Sequence, residues 1–316
     1  MGHTLHVVTG ADYEAVAAVL DAVEPDARAS GEDLRRSDQS IRDGGLVSER
    51  VLARIKGSPI GYGVYGHMDW CADPAVWVAL IKVIPSHRRL GVGTSLHRHI
   101  EAVAARNHVG RLFVEIREDD PSGPAFANRL GYRRIGVEFE SWLDLTSVGP
   151  VDGVAEKQTH GGLAIDTLAG LRDATPDWFV QLHTLYSEIE GDIPAPFPTR
   201  PVPTATFRAR HVDAPNVIPE AVFIARDGDR WVGLTELMGI EREPTWLQQE
   251  LTGVVRSHRR RGLATVLKRI ALEWARSNGF ERIRTSNSSL NEGMLAVNAR
   301  LGFIRGTPHG MWVRYR

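Results

Sequence analysis

The chain has 316 residues, of which 42% are hydrophobic and 24% charged, and its net charge is −1. At roughly 100–200 residues per domain, this length predicts two domains, each able to bury a core of its own. The balanced charge argues against general nucleic-acid binding, and no apolar run approaches the roughly 18 residues of a membrane span.

The opening residues, Met1 to Val8, are too polar for a secretory signal, and the lone Cys71 permits no internal disulfide, so a cytoplasmic protein is expected. Leu5–Val8 predicts a strand and Ala11–Ala22 a helix, with Val16, Val19, Leu20 and Val23 at helical spacing. Val51–Ile55 and Ile60–Tyr65 flank Lys56-Gly-Ser-Pro59 and read as a hairpin, and Trp77–Ile84 follows as a longer β-branched strand. Leu96, Ile100, Val103 and Ala104 mark a helix face. Leu112–Ile116 is a strand, Ala125–Leu130 a short helix ended by Gly131, and Ile135–Leu145 a closing strand.

The second half repeats the succession. Leu163–Thr167 is a strand and Trp178–Ile189 a helix, and Ala221–Ala225 and Trp231–Leu237 form a hairpin around Asp227-Gly228-Asp229. Leu251–Val255 leads into a turn and a helix with Leu263, Leu267, Ile270, Ala271 and Trp274 on one face. Ile283–Ser286, Met294–Leu301 and Met311–Tyr315 complete the set as strand, helix and strand. The Pro-rich stretch 193–203 reads as a surface loop bordering the second site. Expected limits are 1–146 and 163–316 for the two domains, with a linker at 147–162.

Ser-His-Arg-Arg occurs at both 86–89 and 257–260. Arg88-Arg89-Leu90-Gly91-Val92-Gly93 aligns with Arg259-Arg260-Arg261-Gly262-Leu263-Ala264, and Leu130-Gly131-Tyr132 with Leu301-Gly302-Phe303. The offset is constant, since 259 less 88 and 302 less 131 are both 171. That constancy implies a duplicated domain, at a period far too long for a solenoid. A strand, then Arg-x-x-Gly-x-Gly/Ala, then a helix is suited to phosphates: the glycines admit close approach, the free N–H groups of the first helical turn point at the anion, and arginines add charge-assisted hydrogen bonds.

At these residues the chain resembles the GNAT superfamily of acyl-CoA-dependent N-acyltransferases, whose motif is Arg/Gln-x-x-Gly-x-Gly/Ala followed by a helix ending in Leu-Gly-Phe/Tyr. The resemblance implies an α+β fold of two tandem GNAT-like domains, each a mixed, mostly antiparallel twisted sheet flanked by helices. It implies acetyl-CoA or another acyl-CoA as cofactor. Its contacts would be Val83, Ile84, Arg88, Arg89, Leu90, Gly91, Val92, Gly93 and Thr94 in the first half. In the second they would be Val254, Val255, Arg259, Arg260, Arg261, Gly262, Leu263, Ala264, Thr265, Asn291 and Asn298. An amine would attack the thioester, the N–H groups of Ile84 and Val255 would polarise its carbonyl, and a carboxylate would take the amine proton.

The family's thiolate-protonating tyrosine falls at Ala127 and Asn298; Asn298 can hydrogen-bond to the sulfur or pantetheine arm but has no proton to give. Glu236 and Glu250 are the expected bases, ahead of Asp69 and Glu115 in the first half. Carboxylates at Asp119-Asp120 would disfavour a polyanion in the first half, so the chemistry is assigned to the second. The acceptor is expected to be a small-molecule primary amine, and the protein a monomer or homodimer without nucleic-acid or membrane partners. Mycothiol synthase-like and aminoglycoside-type acetyl transfer are same-family alternatives, and a non-catalytic acyl-CoA sensor is a different-class one. Gly61-x-Gly63-x-x-Gly66 lacks the following helix of a dinucleotide site, and no His or Cys spacing implies a metal.

Overall fold

The computed structural model describes residues 2–25, 29–147 and 158–316, which form two compact units. The first unit gathers residues 1–135, 197–206 and 310–316, and the second gathers 136–196 and 207–309. The expected limits 1–146 and 163–316 mark the sequence repeat, whereas the compact units exchange segments across them. Of the expected linker, residues 148–157 lie outside the described residues, and Gln158–His160 form a strand.

In the first unit, β1 (Thr4–Val7), β2 (Ser48–Ile55), β3 (Ser58–His67) and β4 (Val76–Val83) pair antiparallel in sequence order. The β2–β3 hairpin turns at Lys56-Gly57, both at positive φ, as the turn signal predicts. β4 then pairs in parallel with β5 (Arg111–Arg117), but only over Val76–Val78 against Arg111–Phe113. The connecting helices are α1 (Tyr13–Val23) and α2 (Gly31–Asp43) before β2, α3 (Val92–Arg106) between β4 and β5, and α4 (Ser122–Arg129) after β5. Leu96, Ile100 and Ala104 of α3 are fully buried against Val51, Trp77 and Leu112. Burying Leu96 and Ile100 contributes roughly 1.5–3 kcal/mol of transfer free energy each.

Helix α2 has no apolar stripe to predict it. Ser30 caps it by accepting from the Asp33 N–H, and Asp33 accepts in return from the Ser30 N–H at 3.0 Å. Its Asp38 is buried and takes two hydrogen bonds from Arg50 at 2.7 and 3.0 Å, plus the hydroxyls of Tyr13 and Ser48. A buried carboxylate so fully partnered fixes the helix on the sheet in place of an apolar seam.

The second unit takes up β6 (Arg133–Asp144) from residue 136 onward, followed by β7 (Gln158–His160), β8 (Leu163–Thr167), α5 (Leu168–Ala174), α6 (Trp178–Glu190) and α7 (Thr204–His211, from residue 207). Then come β9 (Val217–Asp227), β10 (Arg230–Ile240), β11 (Glu243–Val254), α8 (Leu263–Ser277), β12 (Arg282–Ser288), α9 (Glu292–Arg300) and β13 (Ile304–Tyr315), the last shared with the first unit. Strands β7 to β11 pair antiparallel in order, β11 pairs with β12 in parallel over Trp246–Gln248, and β12 pairs antiparallel with β6. The first unit instead receives residues 310–316, with Met311, Trp312 and Val313 buried in its cores.

The Pro-rich loop is divided between the units. Residues 193–196 belong to the second and 197–206 to the first. Phe197 is buried edge-to-face against Phe113, and Thr199 bridges to Cys71. Among the described residues, no helix is long and apolar enough to cross a membrane.

Candidate functional site

Each β4–α3 and β11–α8 connection follows one course. After the strand, one 3₁₀ turn (Pro85–His87, Arg256–His258) leads to an extended arginine, Arg88 or Arg259. Arg89 and Arg260 then adopt φ of 65° and 62°, and Gly91 and Gly262 φ of 82° and 78°, before the helix begins. Left-handed backbone at a non-glycine residue costs roughly 1–3 kcal/mol. Its recurrence at one place in both units marks a conformation held for use. A Cβ at Gly91 would meet nothing within 4 Å, and one at Gly262 only His160 Nε2 at 3.9 Å. The cradle is therefore open, with the first N–H groups of a 15-residue helix behind it.

The first arginine of each motif is a brace. Arg88 Nε donates to the Val83 carbonyl at 3.1 Å, and its guanidinium pairs with Asp120 at 2.6 Å. Arg259 Nε donates to Val254 at 2.8 Å and pairs with Asp192, which Arg256 also holds. Exposed positive charge at the rim comes from Arg89 in the first unit and from Arg260 and Arg261 in the second. The acidic pair expected to repel a polyanion is itself engaged: Arg117 binds Asp119, while Ser122 and Arg88 hold the Asp120 carboxyl below its ordinary range.

Beyond their short parallel pairing, β4 and β5 separate. A cavity of about 660 Å³ opens between them in the first unit, within the size range of small-molecule and cofactor sites. Lys82 and Val83 line it from β4, Glu115 and Ile116 from β5, and Phe126 and Ala127 from α4, with the cradle residues Arg88, Gly91 and Thr94 at one end. Glu115 is exposed to the cavity, and desolvation raises its carboxyl above the ordinary range with Lys82 opposing. His97 Nε2 lies 3.2 Å from the Tyr132 hydroxyl in the cavity wall. Asp69 is buried and does not line the cavity.

In the second unit the strands separate after Gln248, and the next residue, Gln249, is buried at the division. Its amide donates to Thr235 Oγ1 at 2.9 Å and to the Glu236 carbonyl at 2.8 Å. Glu236 sits at a register irregularity of β10, which aims its buried side chain at α6 and α7. The Tyr186 hydroxyl donates to Glu236, and His211 Nδ1 lies 3.0 Å from the same oxygen. Phe207 packs on both rings, with centroids 5.0 and 4.9 Å away.

Burial, reinforced by Glu250, pushes Glu236 well above its ordinary range, and burial pushes His211 down to about 4. Glu250 is exposed, yet desolvation by the surrounding protein raises its carboxyl, with Arg284 and Arg210 opposing. The structure thus brings the two expected bases together in one electrostatic group.

The raised carboxyl of Glu236 has a consequence whose sign can be tested. A carboxyl raised on folding contributes its full stability below the unfolded value and loses it as pH rises through the folded one, about 1.4 kcal/mol for each pH unit that separates the two values. His211 acts oppositely but is common to both proteins compared. Glu236→Gln is therefore expected to gain melting temperature over wild type from pH 4 to pH 8. A difference that does not change with pH would show that the carboxyl is not raised.

Two expected contacts are corrected. The Ile84 and Val255 N–H groups donate to the Ile60 and Val232 carbonyls at 3.0 and 2.9 Å, so neither is open to a ligand. Because strand groups alternate sides, Val83 and Val254 face the opening instead, as the Arg88 and Arg259 contacts to their carbonyls confirm. Asn291 caps α9 by accepting from the Met294 N–H. Asn298 is buried, donates to Asn287 at 2.6 Å, and keeps its Oδ1 without a partner. Leu263 is buried at the start of α8, while Ala264 and Thr265 are half-buried beside the cradle; Val92, Gly93 and Thr94 hold the matching places on α3, and Leu90, opposite Arg261, is exposed ahead of it.

Motif and periodicity do not point to Lys268, Tyr186, His211 or Asp192. The constant offset places Lys268 opposite His97 and is the one signal in the sequence for it. Among the described residues, no group of three or more His, Cys, Asp or Glu side chains could hold a metal ion.

A family model described as "Acetyltransferase (GNAT) family" matches residues 16–132 and 182–303. Two curated relatives are mycothiol acetyltransferases. The one from Parafrankia sp. is 32% identical over 45% of this chain, but over only 42% of its own length. The one from Salinispora arenicola is 28% identical over 78% of this chain and 75% of its own. Among solved structures, a tandem GNAT protein from the clavulanic acid biosynthesis pathway aligns over 99% of this chain and 98% of its own, at a TM-score of 0.76 and 22% identity. A GCN5-related N-acetyltransferase from Sphaerobacter thermophilus aligns over 99% and 95%, at 0.72 and 18%. At these identities the likeness shows the fold.

Proposed function

The chain belongs to the acetyltransferase (GNAT) family, and from that premise we propose that it transfers an acetyl group from acetyl-CoA to a primary amine of a small molecule, with the chemistry in the second unit. The observation that carries the assignment is the pairing of buried Glu236 with exposed Glu250, close enough to repel each other, beside strands that separate toward an open anion cradle. Bound acetyl-CoA supplies an activated thioester carbonyl. The first turn of α8 and the Gly262 backbone hold the pyrophosphate, and Arg260 and Arg261 add charge at the rim. The Val254 N–H, facing the opening, donates toward the carbonyl oxygen.

Glu250 takes the amine proton because it can be reached from outside, and its raised pKa brings it nearer to working pH. Glu236, sealed behind by Tyr186 and His211, fixes the floor of the acceptor side. Buried Ala127, in the place of the family's acid tyrosine, favours a binding role without turnover for the first unit.

The test is thiol release from acetyl-CoA across a panel of amines, beginning with the acceptor of the mycothiol acetyltransferases. Calorimetry on Gly91→Glu and Gly262→Glu then divides the labour. Each glutamate adds bulk and like charge in the open cradle. Gly262→Glu is expected to abolish turnover and Gly91→Glu to spare it; the reverse pattern would move the chemistry to the first unit.

A further inference from the structure

Lys268 lies in the middle of α8, 1% exposed. Its Nζ donates to Gln249 Oε1 at 3.3 Å and lies 5.1 Å from the Phe303 ring centroid. Gln249 is the first residue past the paired part of β11 and β12, so the ammonium reaches the point where the strands part. The Thr285 hydroxyl, from the facing strand, donates to the Gln249 carbonyl at 3.2 Å and closes that point from the other side. Among the described residues, no carboxylate pairs with Lys268. Burial alone pushes it down to about 7.

A lysine held there with no counter-charge costs stability, and packing does not require it, since methionine would fill the same space. Asn298 is a second buried group left incomplete. It is 3% exposed, its Oδ1 has no partner, and its backbone carbonyl holds the Phe303 N–H. In the first unit, the residues at the same offset, His97, Ala127 and Tyr132, all line the cavity between the separated strands.

We propose that Lys268 is the proton donor to the sulfur of the acyl donor in the second unit, standing in for the acid that Asn298 cannot be. The proposal rests on the acetyl-transfer reading above. As the amine nitrogen bonds to the acyl carbon, the carbon–sulfur bond breaks with its electron pair passing to sulfur. Lys268 gives its proton to that sulfur, the amine proton leaves to Glu250, and solvent restores both groups after release. The unpartnered Asn298 Oδ1 accepts from an N–H of the pantetheine arm and keeps the sulfur in line with the ammonium.

The test reads the lysine itself. The other lysines are Lys56, Lys82 and Lys157, so ¹⁵N-lysine labelling gives few signals, and Lys268→Met identifies the one of interest. Calorimetry first establishes binding of CoA and of desulfo-CoA, which lacks the thiol. In the CoA complex, Lys268 is expected to hold its proton to a pH at least one unit higher than in the desulfo-CoA complex, because only a thiolate can pair with it. Lys268→Met is expected to fold normally, with kcat for acetyl transfer reduced about 100-fold and KM nearly unchanged. Equal Lys268 titration in the two bound complexes would overturn the proposal while leaving the reading of the site standing. Failure of CoA to bind would remove that reading and the proposal together.

Discussion

Replacing Glu250 by glutamine is expected to lower kcat/KM by about 10²–10⁴, the usual range for a positioned base. The substitution keeps the side-chain shape on β11 and removes only the capacity to accept a proton. The wild-type rate should rise with pH through an acid limb lying above the ordinary carboxylate range, because desolvation raises Glu250 despite Arg284 and Arg210. In Glu250→Gln that limb should vanish with the rate. Thiol-release profiles between pH 5 and 9 check both. A variant within a factor of three of wild type, its acid limb intact, would transfer the role to another group. Glu236 is the nearest candidate, but its carboxylate is enclosed by Tyr186 and His211 and needs a water to relay the proton.

The second large effect concerns residues remote from that chemistry. Ending the chain before Gly310 removes Met311, Trp312 and Val313, which are 3%, 5% and 1% exposed in the cores of the first unit. Large-to-small changes at such sites cost roughly 2–5 kcal/mol each, and a domain's whole stability is about 5–15 kcal/mol. The truncated chain should therefore lose the first unit's fold, seen as loss of amide-exchange protection in α3 and β2. Trp312→Ala alone should cost about 3–5 kcal/mol. Protection unchanged in the truncated chain would mean that the last strand contributes nothing to this core.

Much of this is legible in the sequence because duplication writes it twice. The Arg-x-x-Gly turn, the hairpins and the helix faces of α3 and α8 all follow from periodicity and turn chemistry, and the constant offset ties them together. Helix α2 is not legible from periodicity, since its anchor is a buried Asp38–Arg50 pair rather than an apolar stripe; the Ser30–Asp33 capping box is the signal that marks it. The role expected of the Ile84 and Val255 N–H groups fails because the apolar runs end at these residues without showing which side each N–H faces, and both point to the antiparallel neighbour. The loop at 197–206 looks like surface from its prolines, yet Phe197 carries it into a core. Lys268 is hidden because charge predicts exposure, and only its place opposite His97 points inward.

The exchanged strands also bear on how the chain is made. A ribosome releases residues 1–135 early, but the segment 310–316 that completes their unit emerges after all of the second unit. Domains are commonly finished in the order they are translated, at about 5–20 residues per second. Here the first unit must wait for roughly 175 further residues, on the order of 10–35 s at that rate, with the edge of β5 unpaired. An uncovered strand edge is a template for pairing with other chains. The interval in which this protein is exposed to aggregation is therefore set by the elongation rate, and slow codons in the second half should reduce its soluble yield more than slow codons in the first.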